Sequence, residues 1–106
     1  MIETSIKMKV PVEKRKEVLQ TIKAILNPIR REPGCISCNC YVDVEDESIL
    51  FFEEEWRTRE DIENHLRSDL FGVLNGAMRL LREEPDIRFN TIASRTGPMA
   101  IKAARG

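Results

Sequence analysis

Ile49-Leu50-Phe51-Phe52-Glu53-Glu54-Glu55-Trp56 is the stretch that decides the fold of this chain. It follows a polar turn, Glu45-Asp46-Glu47-Ser48, which itself follows a patterned run from Cys35 to Val44. Two patterned runs joined by a short acidic turn read as an antiparallel hairpin. The segment Ile49 to Phe52 is apolar on both faces, which predicts a strand covered on both sides. Helices can cover one side. A chain of 106 residues has no second layer for the other, so a partner subunit is expected there.

Upstream, Ile2, Thr4, Ile6, Met8 and Val10 alternate with Glu3, Ser5, Lys7 and Lys9, the period of a first strand. Pro11 ends it and opens a helix near Val12. Val18, Leu19, Ile22, Ile25, Leu26 and Ile29 form its apolar stripe, and Asn27-Pro28 is expected to disturb its last turn. Glu32-Pro33-Gly34 is a loop. Downstream, Thr58 is an N-cap with Asp61 at the third helical position, predicting a helix to about Arg67. Ser68-Asp69 caps a second piece, from Leu70 to about Leu81, with Phe71, Leu74, Asn75 and Met78 as its inward stripe. Glu83-Glu84-Pro85 breaks it, and Asp86 to Ala93 is a fourth strand. Gly97-Pro98 ends regular structure, leaving Met99 to Gly106 as a tail. The order β-α-β-β-α-β predicts an α+β, ferredoxin-like domain over residues 1–94, followed by a tail at 95–106. Its helices cover one face of a four-stranded antiparallel sheet, and the other face meets a second subunit.

Lys and Arg number 17 against 18 Asp and Glu, for a net charge of -1. No basic excess marks a nucleic-acid groove and no polybasic run marks a membrane surface. Lys14-Arg15-Lys16 and Glu53-Glu54-Glu55 read as a solvated helix face and a strand end. No apolar run approaches the roughly 20 residues of a membrane span. The N-terminus enters a patterned segment directly, without signal-peptide anatomy, so a cytoplasmic chain is expected. Cys35, Cys38 and Cys40 are odd in number and lie too close together for a disulfide framework, so reduced thiols are expected. On a regular strand Cys35 points to one face and Cys38 and Cys40 to the other, so the sulfurs do not converge on a metal and read as small buried hydrophobes.

The only histidine, His65, lies three residues after Ile62, on the apolar side of its helix. A lone inward histidine is more often a hydrogen-bonded core residue than a catalyst. It is also the one side chain here whose ordinary pKa lies near neutrality. Asn75 is the second polar residue on an apolar helical stripe. Asn39 and Tyr41, which share a face of the second strand, and Trp56, at the end of the third, are expected to meet these two beneath the helices. No Gly-rich phosphate loop, nucleophile elbow or His-rich metal motif occurs, and no cofactor-binding signature is visible.

Glu32-Pro33-Gly34-Cys35-Ile36, Tyr41-Val42-Asp43 with the acidic turn, Phe52-Glu53-Glu54-Glu55-Trp56, and the run from Asp61 through His65 to Phe71 together resemble the antibiotic biosynthesis monooxygenase family, which includes small bacterial quinol monooxygenases. The resemblance spans about residues 2 to 93. It implies a dimeric α+β barrel, in which two ferredoxin-like sheets pack face to face as a homodimer. It also implies oxygen insertion into a quinol or other electron-rich aromatic substrate with O2 and no flavin, haem or metal cofactor. His65 then stands at the family's histidine position as base or phenolate partner, with Trp56 and Asn75 as further catalytic candidates. Phe52 and Trp56 supply a ring wall, and Asn39, Tyr41 and Phe71 help bind the substrate.

A haem-degrading branch uses an asparagine on strand one and a Trp and a His on the second helical region. Here strand one has no Asn, His65 stands at the Trp position and Asn75 at that of the haem-ligating His. A branch that processes a phosphorylated sugar would need a basic pocket, for which only dispersed residues such as Arg57 and Arg88 are available. The rival of a different class is a dimeric small-ligand-binding module without turnover.

Overall fold

The alternation from Ile2 onward becomes strand β1 (Ile2–Lys9), and the two runs around the acidic turn become β2 (Cys35–Val42) and β3 (Ile49–Trp56). The computed structural model describes residues 1–106. A 3-10 turn at Val12–Lys14 leads into α1 (Arg15–Arg30), and β3 is followed by α2 (Arg59–Leu66), α3 (Asp69–Met78), β4 (Asp86–Thr91) and α4 (Met99–Arg105). The strands form one antiparallel sheet in the order β2-β3-β1-β4, the ferredoxin-like arrangement. α1 packs on β2 and α3, and α2 packs on β3, so the helices lie on one face.

Register sorts every strand residue by face. Ile2, Thr4, Ile6 and Met8 pair with Trp56, Glu54, Phe52 and Leu50, and all of these lie on the helix side. Val18, Ile22, Ile25 and Ile29 of α1 complete the core with Ile62, Leu74 and Met78. Glu3, Ser5, Lys7 and Lys9 pair with Glu55, Glu53, Phe51 and Ile49 on the opposite, open face. Phe51 and Ile49 are only half-buried there, with the Lys7 ammonium 5.8 Å from the Phe51 ring centroid. The second layer that the doubly apolar strand calls for is therefore not supplied by the chain itself.

Several boundaries differ from the sequence reading. Pro28 lies inside α1, which runs on to Arg30. β2 stops at Val42, where the Asp43 carboxylate accepts the Glu45 N–H at 2.7 Å and turns the chain, leaving Val44 fully outside. α3 ends at Met78 and β4 at Thr91. The expected tail forms α4, because Met99-Ala100-Ile101-Lys102-Ala103-Ala104-Arg105 consists almost wholly of strong helix formers and Pro98 opens the helix rather than closing off structure.

A bulge at the start of β2 changes which faces its residues occupy. Cys35 pairs with Trp56 and Ser37 with Glu55, which leaves Ile36 as the extra residue. Cys35 therefore returns to the helix side with Cys38 and Cys40, correcting the expectation that the three thiols split between faces. Ser37, Asn39 and Tyr41 face the open side. Just before the bulge, Gly34 adopts φ +81°, and a Cβ there would overlap the Asp61 side chain. Asp61 is held in place because Thr58 accepts its backbone N–H at 3.1 Å and donates its own hydroxyl to the Asp61 carboxylate at 2.9 Å. The loop from α1 and the N-cap of α2 are thereby locked together, and that junction positions the candidate site.

Candidate active site

His65 is fully enclosed, and both of its ring nitrogens face carboxylates. Nδ1 lies 2.8 Å from Glu32 Oε1 and Nε2 lies 2.9 Å from Glu54 Oε2. The Glu54 contact has ion-pair distance without the alignment of a straight hydrogen bond. Trp56 stacks on the imidazole at 4.5 Å between centroids, and Phe71 meets it edge-on at 5.5 Å. Glu54 arrives from β3, where the strand period puts it on the same face as Phe52 and Trp56. It is 1% exposed. Thr4 Oγ1 donates to Glu54 Oε1 at 3.0 Å, and the Cys38 sulfur lies 3.9 Å from Oε2. Glu32 comes from the loop after α1, and its side chain keeps 18% of its surface in solvent.

Glu54 also opens onto a cleft of about 250 Å³ between the sheet and the helices. Thr4, Ile6 and Glu54 form its floor, Leu66 and Phe71 its helical wall, and Ile87 and Phe89 of β4 its other wall. The cleft exists because the helices lie over the β2–β3 half of the sheet while β4 is exposed along its length. A second cleft of about 270 Å³ shares Leu66 and Phe89 with it and extends past Ile62 to Arg59 and Thr91. An apolar trough with one buried carboxylate in its floor suits a small ring carrying an acidic hydroxyl.

Burial pushes the His65 pKa down, but the close contact and charge of Glu54, followed by the hydrogen bond and charge of Glu32, outweigh it and hold the imidazole above its ordinary value. Cys35 and Cys38 are near the same carboxylates, and burial followed by the Glu54 charge raises both thiols. A histidine whose folded pKa exceeds its unfolded one contributes stability that is complete below about pH 6.5 and lost as the pH rises through the folded value. Urea unfolding at about pH 6 and about pH 7.2, the latter more than a unit below the ordinary thiol pKa of about 8.5, should therefore give the lower stability at the higher pH. The difference should vanish in His65→Gln. Equal stabilities in the wild type would show that the two carboxylates do not hold the proton.

The structure brings together only some of the residues singled out from the sequence. His65, Trp56 and Phe71 form one cluster, and Phe52 lies in the core two residues from Glu54 on the same face. Asn75 is exposed, because α3 turns Leu74, Ala77 and Met78 inward and the next position falls on the solvent side. Asn39 and Tyr41 lie on the open face, where they border a depression of about 50 Å³. Asn39 also accepts from Arg30 at 3.1 Å. The expected meeting of Asn39 and Tyr41 with His65 and Asn75 beneath the helices therefore does not occur. Glu54 was read as part of a solvated acidic run and is instead the floor of the cleft. The signal for it was present, since Phe52, Glu54 and Trp56 alternate with period two. Glu32 sits in a loop, where no periodicity could mark it. No group of three His, Cys, Asp or Glu side chains is placed to hold a metal ion. No helix is long and apolar enough to cross a membrane.

The profile of the antibiotic biosynthesis monooxygenase family matches residues 1–75. An uncharacterised protein of Synechocystis sp. is 40% identical over 88 residues, which are 81% of this chain and 59% of that relative; the chain thus spans about three-fifths of the relative's length. A conserved protein from Methanosarcina mazei superposes with a TM-score of 0.79 at 29% identity, covering 84% of this chain and 89% of that one. A solved antibiotic biosynthesis monooxygenase superposes with a TM-score of 0.81 at 20% identity, over 89% of this chain and all (100%) of that one, a likeness of fold. With its profile matched over most of its length, this chain belongs to the antibiotic biosynthesis monooxygenase family.

Proposed function

We propose that this protein oxidises a quinol or related polyphenol with O2 in the cleft above Glu54. The observation that carries the reading is a buried carboxylate, backed by an imidazole, in the floor of an otherwise apolar trough. Family membership supports an oxygenase or small-molecule-binding role. Glu54 takes the phenolic proton, since it is the ionisable group that lines the cleft, while His65 acts from behind it. The deprotonated ring is a good one-electron donor to O2. Oxygen then adds at a ring carbon bearing hydrogen, and loss of water leaves a carbonyl there. The sum is quinol plus O2 giving hydroxyquinone plus water, in which the quinol supplies all four electrons. Leu66, Phe71, Ile87 and Phe89 keep water from the radical pair. The imidazole is not free to ligate haem iron, because both nitrogens are engaged by carboxylates. The open face, with Phe51, Ile49 and Tyr41, fits a second copy of the chain, and light scattering at micromolar concentration should report a dimer.

Oxygen consumption with freshly reduced naphthoquinols and anthrones tests the proposal. Uptake should exceed autoxidation and fall at least about a hundredfold in Glu54→Gln, assayed where the variant remains folded. Uptake unchanged in Glu54→Gln would dismiss the carboxylate. No uptake, together with a rise in melting temperature on adding the same compounds, would replace the oxygenase with a ligand-binding module.

A further inference from the structure

We propose that Glu54, His65 and Glu32 form a proton relay that connects the floor of the cleft to solvent, with Glu32 as its outer port. The proposal rests on the reading of the cleft as a site of proton chemistry, and it assigns a role to a residue that does not border the cleft.

The three groups are joined in series by two short contacts. Glu54 is 1% exposed and borders the cleft, the His65 side chain is wholly buried, and the Glu32 side chain, which does not line the cleft, is 18% exposed. The two gaps are 2.9 and 2.8 Å; the Glu32 contact is a hydrogen bond, and the Glu54 contact becomes one once its carboxyl turns into line with Nε2. A ring held between Trp56 and Phe71 has no room to swing, so protons must move between fixed atoms. When the imidazole is neutral, one nitrogen presents a lone pair to a carboxylate oxygen. That contact is favourable only if the carboxyl carries the proton. Proton position is therefore shared along the chain rather than fixed at one site.

From the neutral form of the ring that carries its proton on Nδ1, a proton accepted by Glu54 crosses to Nε2 while the proton on Nδ1 crosses to Glu32. Glu54 returns to carboxylate, the imidazole stays neutral with its proton on the other nitrogen, and Glu32 becomes a carboxylic acid in contact with water. The reverse shift returns a proton to the cleft for the departing water, so the relay resets and no net proton is consumed. A merely structural ion cluster would need no solvent-exposed end. Thr4 and Cys38 flank Glu54 without offering a second exit, since both are buried.

Because His65 is the only histidine, its ring protons can be followed without ambiguity by 15N NMR. Exchange of the Nδ1 proton with water should slow at least about tenfold in Glu32→Gln, while exchange of the backbone amides does not slow. Glu32→Asp, which keeps the charge but withdraws the carboxylate by one methylene, should shift exchange in the same direction by less, and serves if the Gln variant does not fold. Exchange at the wild-type rate in both variants, or slowing that merely follows the backbone amides, would overturn the relay. In turnover, Glu32→Gln should lower kcat with KM unchanged, and added formate should restore part of the rate. A wild type that oxidises no quinol but whose ring exchange depends on Glu32 would remove the oxygenase reading and keep the relay.

Discussion

His65→Ala should lower the free energy of unfolding by about 3–5 kcal/mol, the cost of removing one partner from a buried ion pair. The imidazole is the only cation in contact with Glu54, and Thr4 is the only hydroxyl. With alanine in place, Glu54 remains buried without a counter-ion, held only by the Thr4 hydroxyl and a weak contact from the Cys38 thiol, and Trp56 loses the ring stacked on it. The loss should shrink as the pH rises through the raised pKa of His65, because a neutral imidazole no longer serves Glu54 as a counter-ion. Urea midpoints for wild type and variant at two pH values measure both effects. A loss below about 1 kcal/mol that does not vary with pH would mean that the ring acts only as packing. A large loss would also set how the oxygen-uptake comparison must be run, since a partly unfolded His65→Ala would mimic a catalytic defect. Glu54→Gln is the cleaner chemical variant, since its amide can still accept from Thr4.

The second large effect lies at Trp56, which is fully buried and is the largest side chain in the core. Trp56→Ala should cost about 3–5 kcal/mol, the usual loss for an aromatic-to-alanine truncation. Trp56→Phe should behave quite differently. The indole Nε1–H is buried without a hydrogen-bond partner. An unsatisfied buried donor costs roughly 1–3 kcal/mol, and phenylalanine removes that donor while keeping a ring to stack on His65. The relief opposes the lost volume, so Trp56→Phe should lie within about 1.5 kcal/mol of the wild type. Equilibrium unfolding of the two variants gives the contrast directly. A Phe variant as damaged as the Ala variant would show that the indole N–H is satisfied after all, by an enclosed water.

The fold was legible because its strands carry clean period-two patterns and its helices clean stripes. Ile2 to Val10 and Ile49 to Trp56 each sort into two faces that the register reproduces. Thr58 and Ser68 were legible as caps because each precedes an apolar-periodic run, and each accepts the expected backbone N–H. The bulge at Cys35 to Ser37 was not legible. No glycine or proline marks Ile36, and a single extra residue there reverses the face of everything before it. That local feature explains the misplaced thiol. Asn39 and Tyr41 went wrong for a different reason, since choosing which face of an edge strand meets the helices requires the register with its neighbour. Of the site, His65, Trp56 and Phe71 were legible from helical and strand periodicity. Glu54 was concealed by its neighbours Glu53 and Glu55, which made a buried residue look like part of a solvated run. Glu32 had no local signal at all, because its contact with His65 spans 33 residues.

The bulge also matters for how this protein ages in the presence of oxidants. With all three thiols on the helix side, burial raises Cys35 and Cys40 to about 11, and raises Cys38 further. Thiols attack peroxide and disulfides as thiolates, and these remain protonated at physiological pH. The Cys38 sulfur, 3.9 Å from Glu54, would be the first to meet any oxidant that enters the cleft, and it meets it as a thiol. Packing thus passivates the folded chain, and the same sulfurs become nucleophiles once the sheet opens. Alkylation by iodoacetamide accordingly counts molecules that have unfolded, so damage would fall first on copies that have already lost their structure.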